Sequence, residues 1–218
     1  MMRVIIFFFP FFMLVSACNH DEKIVAPTVD NEGLTTVLLL TTNLNAPFKK
    51  DTAIWEQLLD INGNPLDLDT SKIQLNLEEG SRYSAKLILL DKTQFPVFDV
   101  SLEIKERSNY HLFFYQPLPS KLPFVIPFTQ GDQMPTPIPT NLTTTAVVAE
   151  NSLNLEINII DKDNNLPGLP LGLNTEFITG TPGNGWLRLQ LRHQPNGKDG
   201  SYTPGSTDLD IGFKIHIQ

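Results

Sequence analysis

The chain has 218 residues, with 16 Lys+Arg against 24 Asp+Glu and a formal net charge of −8. That length suits one large or two small domains. The acidic balance speaks against a nucleic-acid partner, which needs a basic footprint, and against adsorption on anionic lipid. Cys18 is the only cysteine, so no intrachain disulfide can form and Cys-based zinc sites are excluded.

The first residues carry an export pattern. Arg3 is the only charge before Asp21, and Val4 to Leu14 is an apolar run holding Phe7, Phe8, Phe9, Phe11 and Phe12. A short positive region, an apolar core and small residues before a cut make a secretory signal. The run is shorter than the ~20 residues that a bilayer span needs. Residues 1–17 are therefore expected to be a signal peptide and residues 18–33 a polar tether. Val15-Ser16-Ala17-Cys18 resembles the lipobox of bacterial lipoproteins. The resemblance implies diacylation of the Cys18 thiol, cleavage before it and a lipid anchor, which two or more acyl chains make stable. Asp21 and Glu22 look like the signal that sends Bacteroidetes lipoproteins to the cell surface; a solvated charged tether is the alternative.

Strands follow. Leu34 to Thr42 is β-branched and apolar between Gly33 and Asn43 and reads as a largely buried strand. Thr52 to Leu59, with Trp55, reads as a second, followed by the turn dipeptide Asn62-Gly63. Ile73, Leu75 and Leu77 alternate with polar residues, and Tyr83 to Leu90 continues the pattern. Val97 to Lys105 reads as another strand because Val100, Leu102 and Ile104 alternate with Ser101, Glu103 and Lys105. Tyr110 to Tyr115 closes a first module, 34–115.

Residues 116–140 hold seven Pro and read as an extended linker or a cover over a sheet edge, since such a stretch cannot be a central strand. A second module, 141–218, is expected from Thr143–Ala149, the alternation over 153–159, Leu187/Leu189/Leu191, and Ile211/Phe213/Ile215/Ile217. No helix is expected. Many short strands with turns between them predict an all-β fold, built as two immunoglobulin-like β-sandwich modules or as one larger sandwich. A faint repeat suggests the two-module form: Asp60 to Leu68 resembles Asp161 to Leu173, and Leu34-Thr35-Thr36 recurs at Leu142-Thr143-Thr144; chance similarity between Asn/Asp/Gly turns is the alternative.

Five stretches carry a wider resemblance. They are Leu34-Thr35-Thr36-Val37; Glu103-Ile104-Lys105-Glu106 followed by His111-Leu112-Phe113-Phe114; Pro170-Leu171-Gly172-Leu173; Leu191-Arg192-His193-Gln194-Pro195; and Thr207-Asp208-Leu209-Asp210-Ile211. Together they resemble a family of small Bacteroidetes envelope lipoproteins whose members often carry the label "type 1 periplasmic binding fold superfamily". The resemblance covers nearly the whole chain after Cys18. It implies an envelope location and partnership with an outer-membrane TonB-dependent transporter, and it brings no catalytic residues. The label itself implies two α/β lobes, whereas the residue pattern implies strands throughout.

Candidate chemistry is sparse. Asp161-x-Asp163-x-Asn165 matches the first half of a calcium loop, with Leu166 at the usual Gly and Gly172 at the usual bidentate Glu; an Asx-rich turn is the alternative. Asp60-x-Asn62-x-Asn64 is equally partial. His193 continues the apolar face of its strand to a rim before Pro195, where it could hold Zn²⁺ or a similar ion with His111, Glu106 or Asp208; a rim His bonded to backbone is the alternative. Glu103 and Glu106 point to opposite faces if they lie in a strand, so they do not make a catalytic pair. No Gly-x-Ser-x-Gly, His-Glu-x-x-His or phosphate loop occurs.

Trp55, Tyr83, Tyr110, Tyr115, Trp186 and Tyr202 are candidate surface aromatics for a glycan or partner. Trp186 and Arg188 are the favoured contact pair, with a rim aromatic covering the core as the alternative. Asp51-Thr52-Ala53 resembles a Bacteroidetes O-glycosylation sequon. The expected function is that of a non-enzymatic outer-membrane lipoprotein, a binding or accessory subunit of a TonB-dependent uptake system. A calcium- or transition-metal-binding lipoprotein is the second reading and a glycan-active enzyme the third.

Overall fold

The computed structural model describes residues 34–57, 60, 66, 70–120 and 153–218. Cys18, the 18–33 tether, the Asn62-Gly63 turn, the Thr143–Ala149 strand and most of the Pro-rich stretch lie outside the described residues.

Among the described residues, ten strands form two sheets, and one α-helix lies outside them. The first sheet has the order β2-β1-β4-β8-β7, from Lys50–Glu56, Thr36–Asn43, Arg82–Asp91, Asn174–Thr179 and Leu155–Ile159, with the short β5 (Phe98–Asp99) added to β4. The second has the order β3-β10-β9-β6, from Gln74–Leu77, Ser206–Ile217, Gly183–His193 and His111–Pro119. All pairings are antiparallel except β3 with β10.

Alternation explains the layering. Val37 and Leu39 of β1, Leu87 and Leu89 of β4, and Phe177 of β8 are buried from one side. Phe113 of β6, Leu187 to Leu191 of β9, and Ile211 to Ile217 of β10 are buried from the other. These residues form one continuous core. Tyr115 and Phe177 meet edge-on across it, with ring centroids 6.4 Å apart. A side chain of this kind contributes roughly 1.5–3 kcal/mol when fully buried.

The two-module division does not hold. Each sheet takes strands from both sides of the Pro-rich stretch: β8 pairs with β4, and β9 pairs with β6. The larger single sandwich is the form adopted. The halves are joined by β4–β8 in the first sheet and by β6–β9 and β3–β10 in the second, so neither half holds a complete sheet.

Three local expectations change. Val100–Glu106 is a helix, α1, rather than a strand. Asp99 caps it by accepting from the Ser101 amide, and Ser101 and Ile104 are buried while Leu102 is exposed. The Ser101 hydroxyl accepts from the Leu89 amide at 2.7 Å, which ties the helix to β4. Spacing of 100, 101 and 104 marks one helical face, and the two-residue alternation was incidental. In α1 Glu103 pairs with Arg107 at 3.1 Å, and Glu106 is exposed.

Second, β6 runs on through Pro117 and Pro119. An edge strand tolerates this, because a proline can turn its missing donor away from the sheet. Third, β8 is a strand that the sequence pattern alone does not predict, although Thr175, Phe177 and Thr179 alternate inward within it. Among the described residues no helix is long and apolar enough to cross a membrane.

Candidate functional site

Three adjacent strands of the second sheet, β10, β9 and the edge strand β6, meet at one rim. β6 starts there with His111, β9 ends there with His193, and β10 enters there at Ser206. His111 lies opposite His193, and His193 opposite Ser206. The register then slips between Thr207 and Leu209, so Asp208 is the extra residue of a bulge. A bulge re-aims the side chain that it carries. Here it brings the Asp208 carboxylate to His193, with Oδ2 3.6 Å from Nδ1. One donor atom each from His111, His193 and Asp208 lies within 4.8 Å of the others.

The surroundings prepare these donors. His111 Nδ1 is 3.0 Å from the Arg107 carbonyl, which can only accept, so Nδ1 carries the proton and Nε2 keeps its lone pair. Burial lowers the His111 pKa to about 4, against the pull of that carbonyl, with the charges of His193, Arg107 and Lys198 lowering it further. The ring is therefore neutral at physiological pH. Burial raises the Asp208 carboxyl above its ordinary value, and His193 and Arg192 draw it partly back. The His111 and His193 rings are 4.9 Å apart, and Tyr110 stacks beyond His193 at 6.5 Å. The side chains of His193 and Asp208 keep 21% and 17% of their surface open.

The backbone around His193 is closely held. The Gln194 amide donates to the Tyr110 carbonyl at 2.6 Å, and the Gln194 side chain donates to Ser201 O at 2.7 Å. Gly205 has φ +80°, and a Cβ there would lie 1.8 Å from the His193 carbonyl oxygen. No side chain fits that position.

Two imidazoles and a carboxylate are a common donor set for zinc and its first-row neighbours. Around a tetrahedral ion with bonds of ~2.0–2.1 Å, donors stand ~3.3 Å apart. The His193–Asp208 approach of 3.6 Å is close to that value, and the three donors together span up to 4.8 Å. Glu106, exposed on α1, does not join the cluster.

The Asp161/Asp163/Asn165 loop is different. The two Asp161 oxygens accept from the amides of Gly172 and Asn174 at 2.8 and 3.0 Å and from the Asn174 side chain. Asp163 accepts from the Asn165 and Leu169 amides and pairs with Lys198 Nζ at 2.9 Å, both side chains being fully buried. Burial would raise the Asp163 carboxyl, but Lys198 and the two amides outweigh it and hold it below its ordinary value. The Asp161 and Asp163 carboxylates are thus taken up by amides and the Lys198 ammonium, so the expected calcium loop is built as a structural clasp. Lys198 also donates to the Ser108 carbonyl at 2.9 Å. The clasp thus braces the turn that precedes His111. Of the similar Asp60 stretch, Asn62 and Asn64 lie outside the described residues.

The expected surface pair does not form. Arg188 is buried, donating from Nε and Nη2 to the two Asp210 oxygens at 2.8 and 2.5 Å. Trp186 is half-buried beneath Lys214 Nζ, 5.6 Å from its ring. Period-2 alternation put Arg188, Gln190 and Arg192 outward, and they are outward, but the 202–207 segment covers part of that face. Tyr202 lies 4.5 Å over Arg192, whose guanidinium donates to Thr207 Oγ1 and the carbonyls of Pro204 and Gly205. Trp55, Tyr83 and Tyr115 are core residues rather than surface aromatics. His216 bonds Asn184 across its strand pair.

The Asp208 bulge leaves no trace in the hydrophobic pattern, because Ser206-Thr207-Asp208 holds no apolar residue to show the slip. No protein-family model matches the chain, and neither a curated protein nor a solved structure matches it.

Proposed function

We propose that this chain is a lipid-anchored, non-enzymatic envelope protein that binds one divalent transition-metal ion, of the Zn²⁺ class, at His111, His193 and Asp208. The observation that carries this reading is the convergence of three donors from three adjacent strands within 4.8 Å. The neutral, oriented His111 ring supports it, because a metal needs a free lone pair and a protonated imidazole has none. A zinc titration of the full chain in detergent tests it. One ion per chain is expected. His193→Ala and Asp208→Asn should each weaken binding by at least the ~10–100-fold that loss of a supporting residue costs. Absent uptake, or equal uptake by both variants, would refute the metal site.

Anchoring through Cys18 is the second part of the reading, supported by the export pattern of residues 1–18. Labelled palmitate should enter the native chain and not Cys18→Ala. The resemblance to Bacteroidetes lipoproteins makes a TonB-dependent transporter the partner to seek. Affinity capture from outer membranes should recover one, and its absence removes that role.

A further inference from the structure

The corner between β4 and α1 is apolar and open. Phe95 is fully exposed, and Val97, Phe98 and Leu102 are 51%, 41% and 60% exposed. Four large apolar side chains thus stand in water within eight consecutive residues. The charged groups bordering them are mostly paired: Lys92 with Glu56, and Glu103 with Arg107. Asp91 is buried and accepts from Thr93 and Gln94.

The chain enters the fold at the same corner. The Thr35 amide donates to the Leu90 carbonyl at 3.0 Å, and the Lys92 amide donates to Thr35 Oγ1 at 3.0 Å. Phe95 follows Lys92 by three residues, a reach of ~10 Å. Cys18 precedes Thr35 by a chain of at most ~60 Å when fully extended. The end of the sandwich that Cys18 leads into is therefore the end that carries the apolar tip. The opposite end of β1, with Phe48, lies ~27 Å away along the strand.

We infer that the Phe95/Val97/Phe98/Leu102 tip docks into a neutral, zwitterionic lipid surface and sets this end of the sandwich toward the membrane. This rests on the proposed lipid anchor. Apolar side chains bordered by paired charges suit the boundary between headgroups and acyl chains. The chain's net charge of −8 disfavours anionic lipid. Four partly buried side chains bind weakly alone, but a tether raises their effective concentration at the surface, so weak docking is enough.

Tryptophan fluorescence with brominated phosphatidylcholine vesicles tests the docking. The exposed sites Phe95→Trp and Phe48→Trp supply the two probes, compared with the native chain to subtract Trp55 and Trp186. Anchored protein should show a blue shift and strong quenching for Phe95→Trp and neither for Phe48→Trp. In the full chain carrying Cys18→Ser, the Phe95→Trp quench should persist at high lipid. Phe95→Ser/Phe98→Ser should lower vesicle affinity about tenfold. Equal quenching of the two probes, or none for Phe95→Trp at high lipid, overturns the docking, as does a tip covered by protein rather than lipid. Failure of the anchor reads out separately, as equal flotation of the native chain and Cys18→Ser at low lipid, where the tip alone does not hold the chain.

Discussion

The 161–174 loop and the rim of the second sheet both offer acidic or imidazole donors, yet they differ in what those donors face. In the loop, every carboxylate oxygen of Asp161 and Asp163 accepts at least one hydrogen bond from an amide or Lys198. At the rim, His111, His193 and Asp208 turn toward one another, and the His193–Asp208 approach of 3.6 Å is longer than a hydrogen bond. A carboxylate already satisfied by the fold stabilises the fold. The convergence of two imidazoles and a carboxylate makes the rim, and not the loop, the candidate ion site. The two regions are also connected, since Lys198 bridges the Asp163 clasp to the Ser108 turn ahead of His111.

The clasp should give the largest effect. Asp163→Asn leaves the buried Lys198 ammonium without its counter-charge and should cost about 3–5 kcal/mol in urea unfolding. The pH dependence has a defined sign. Asp163 has a folded pKa below its unfolded value near 3.8, so its contribution is fully present above that value. It is lost as pH falls through the lower folded value. Native protein should show that acid limb, and Asp163→Asn should lack it. An unchanged acid limb would remove the clasp from the comparison.

Metal should separate the regions next. Zn²⁺ at a hundred times its dissociation constant should stabilise the native chain by about 2.7 kcal/mol, and Ca²⁺ should leave its melting temperature unchanged. Stabilisation by Ca²⁺ that Asp161→Asn abolishes would reverse the assignment of the two sites.

The glycine beneath the rim should have a smaller effect. Gly205→Ala forces a Cβ onto the His193 carbonyl at positive φ and should cost about 2 kcal/mol. It should also weaken zinc binding, because His193 must move. Unaltered zinc affinity in a destabilised protein would show that the rim tolerates that shift.

Much of the fold was legible along the chain. The alternation at Leu75/Leu77, Leu155/Ile157, Leu187–Leu191 and Ile211–Ile217 located buried strand faces, because a two-residue period has one structural meaning when one face is covered. The same rule failed at Val100–Glu106. Val100 and Ile104 satisfy both a two-residue and a four-residue spacing, and the Asp99 cap with Ser101 on β4 decided for the helix. At the rim, His193 as a strand-end residue was readable. His111 and Asp208 were two of three partners named for it, and nothing local separated them from Glu106.

What the sequence determined by itself is the all-β class and which residues of most strands turn inward, since hydrophobic period is a local property of the chain. Strand neighbours are not local. The pairing of β4 with β8 and of β6 with β9 joined the two halves into one sandwich, since neither half holds a complete sheet. The same pairing, with the slip at Asp208, assembled two histidines and a carboxylate from positions 111, 193 and 208. It also buried Arg188 against Asp210 and paired Asp163 of the calcium-like loop with a lysine from 35 residues further on. Those outcomes depend on which strand lies beside which, and only the tertiary structure could decide them.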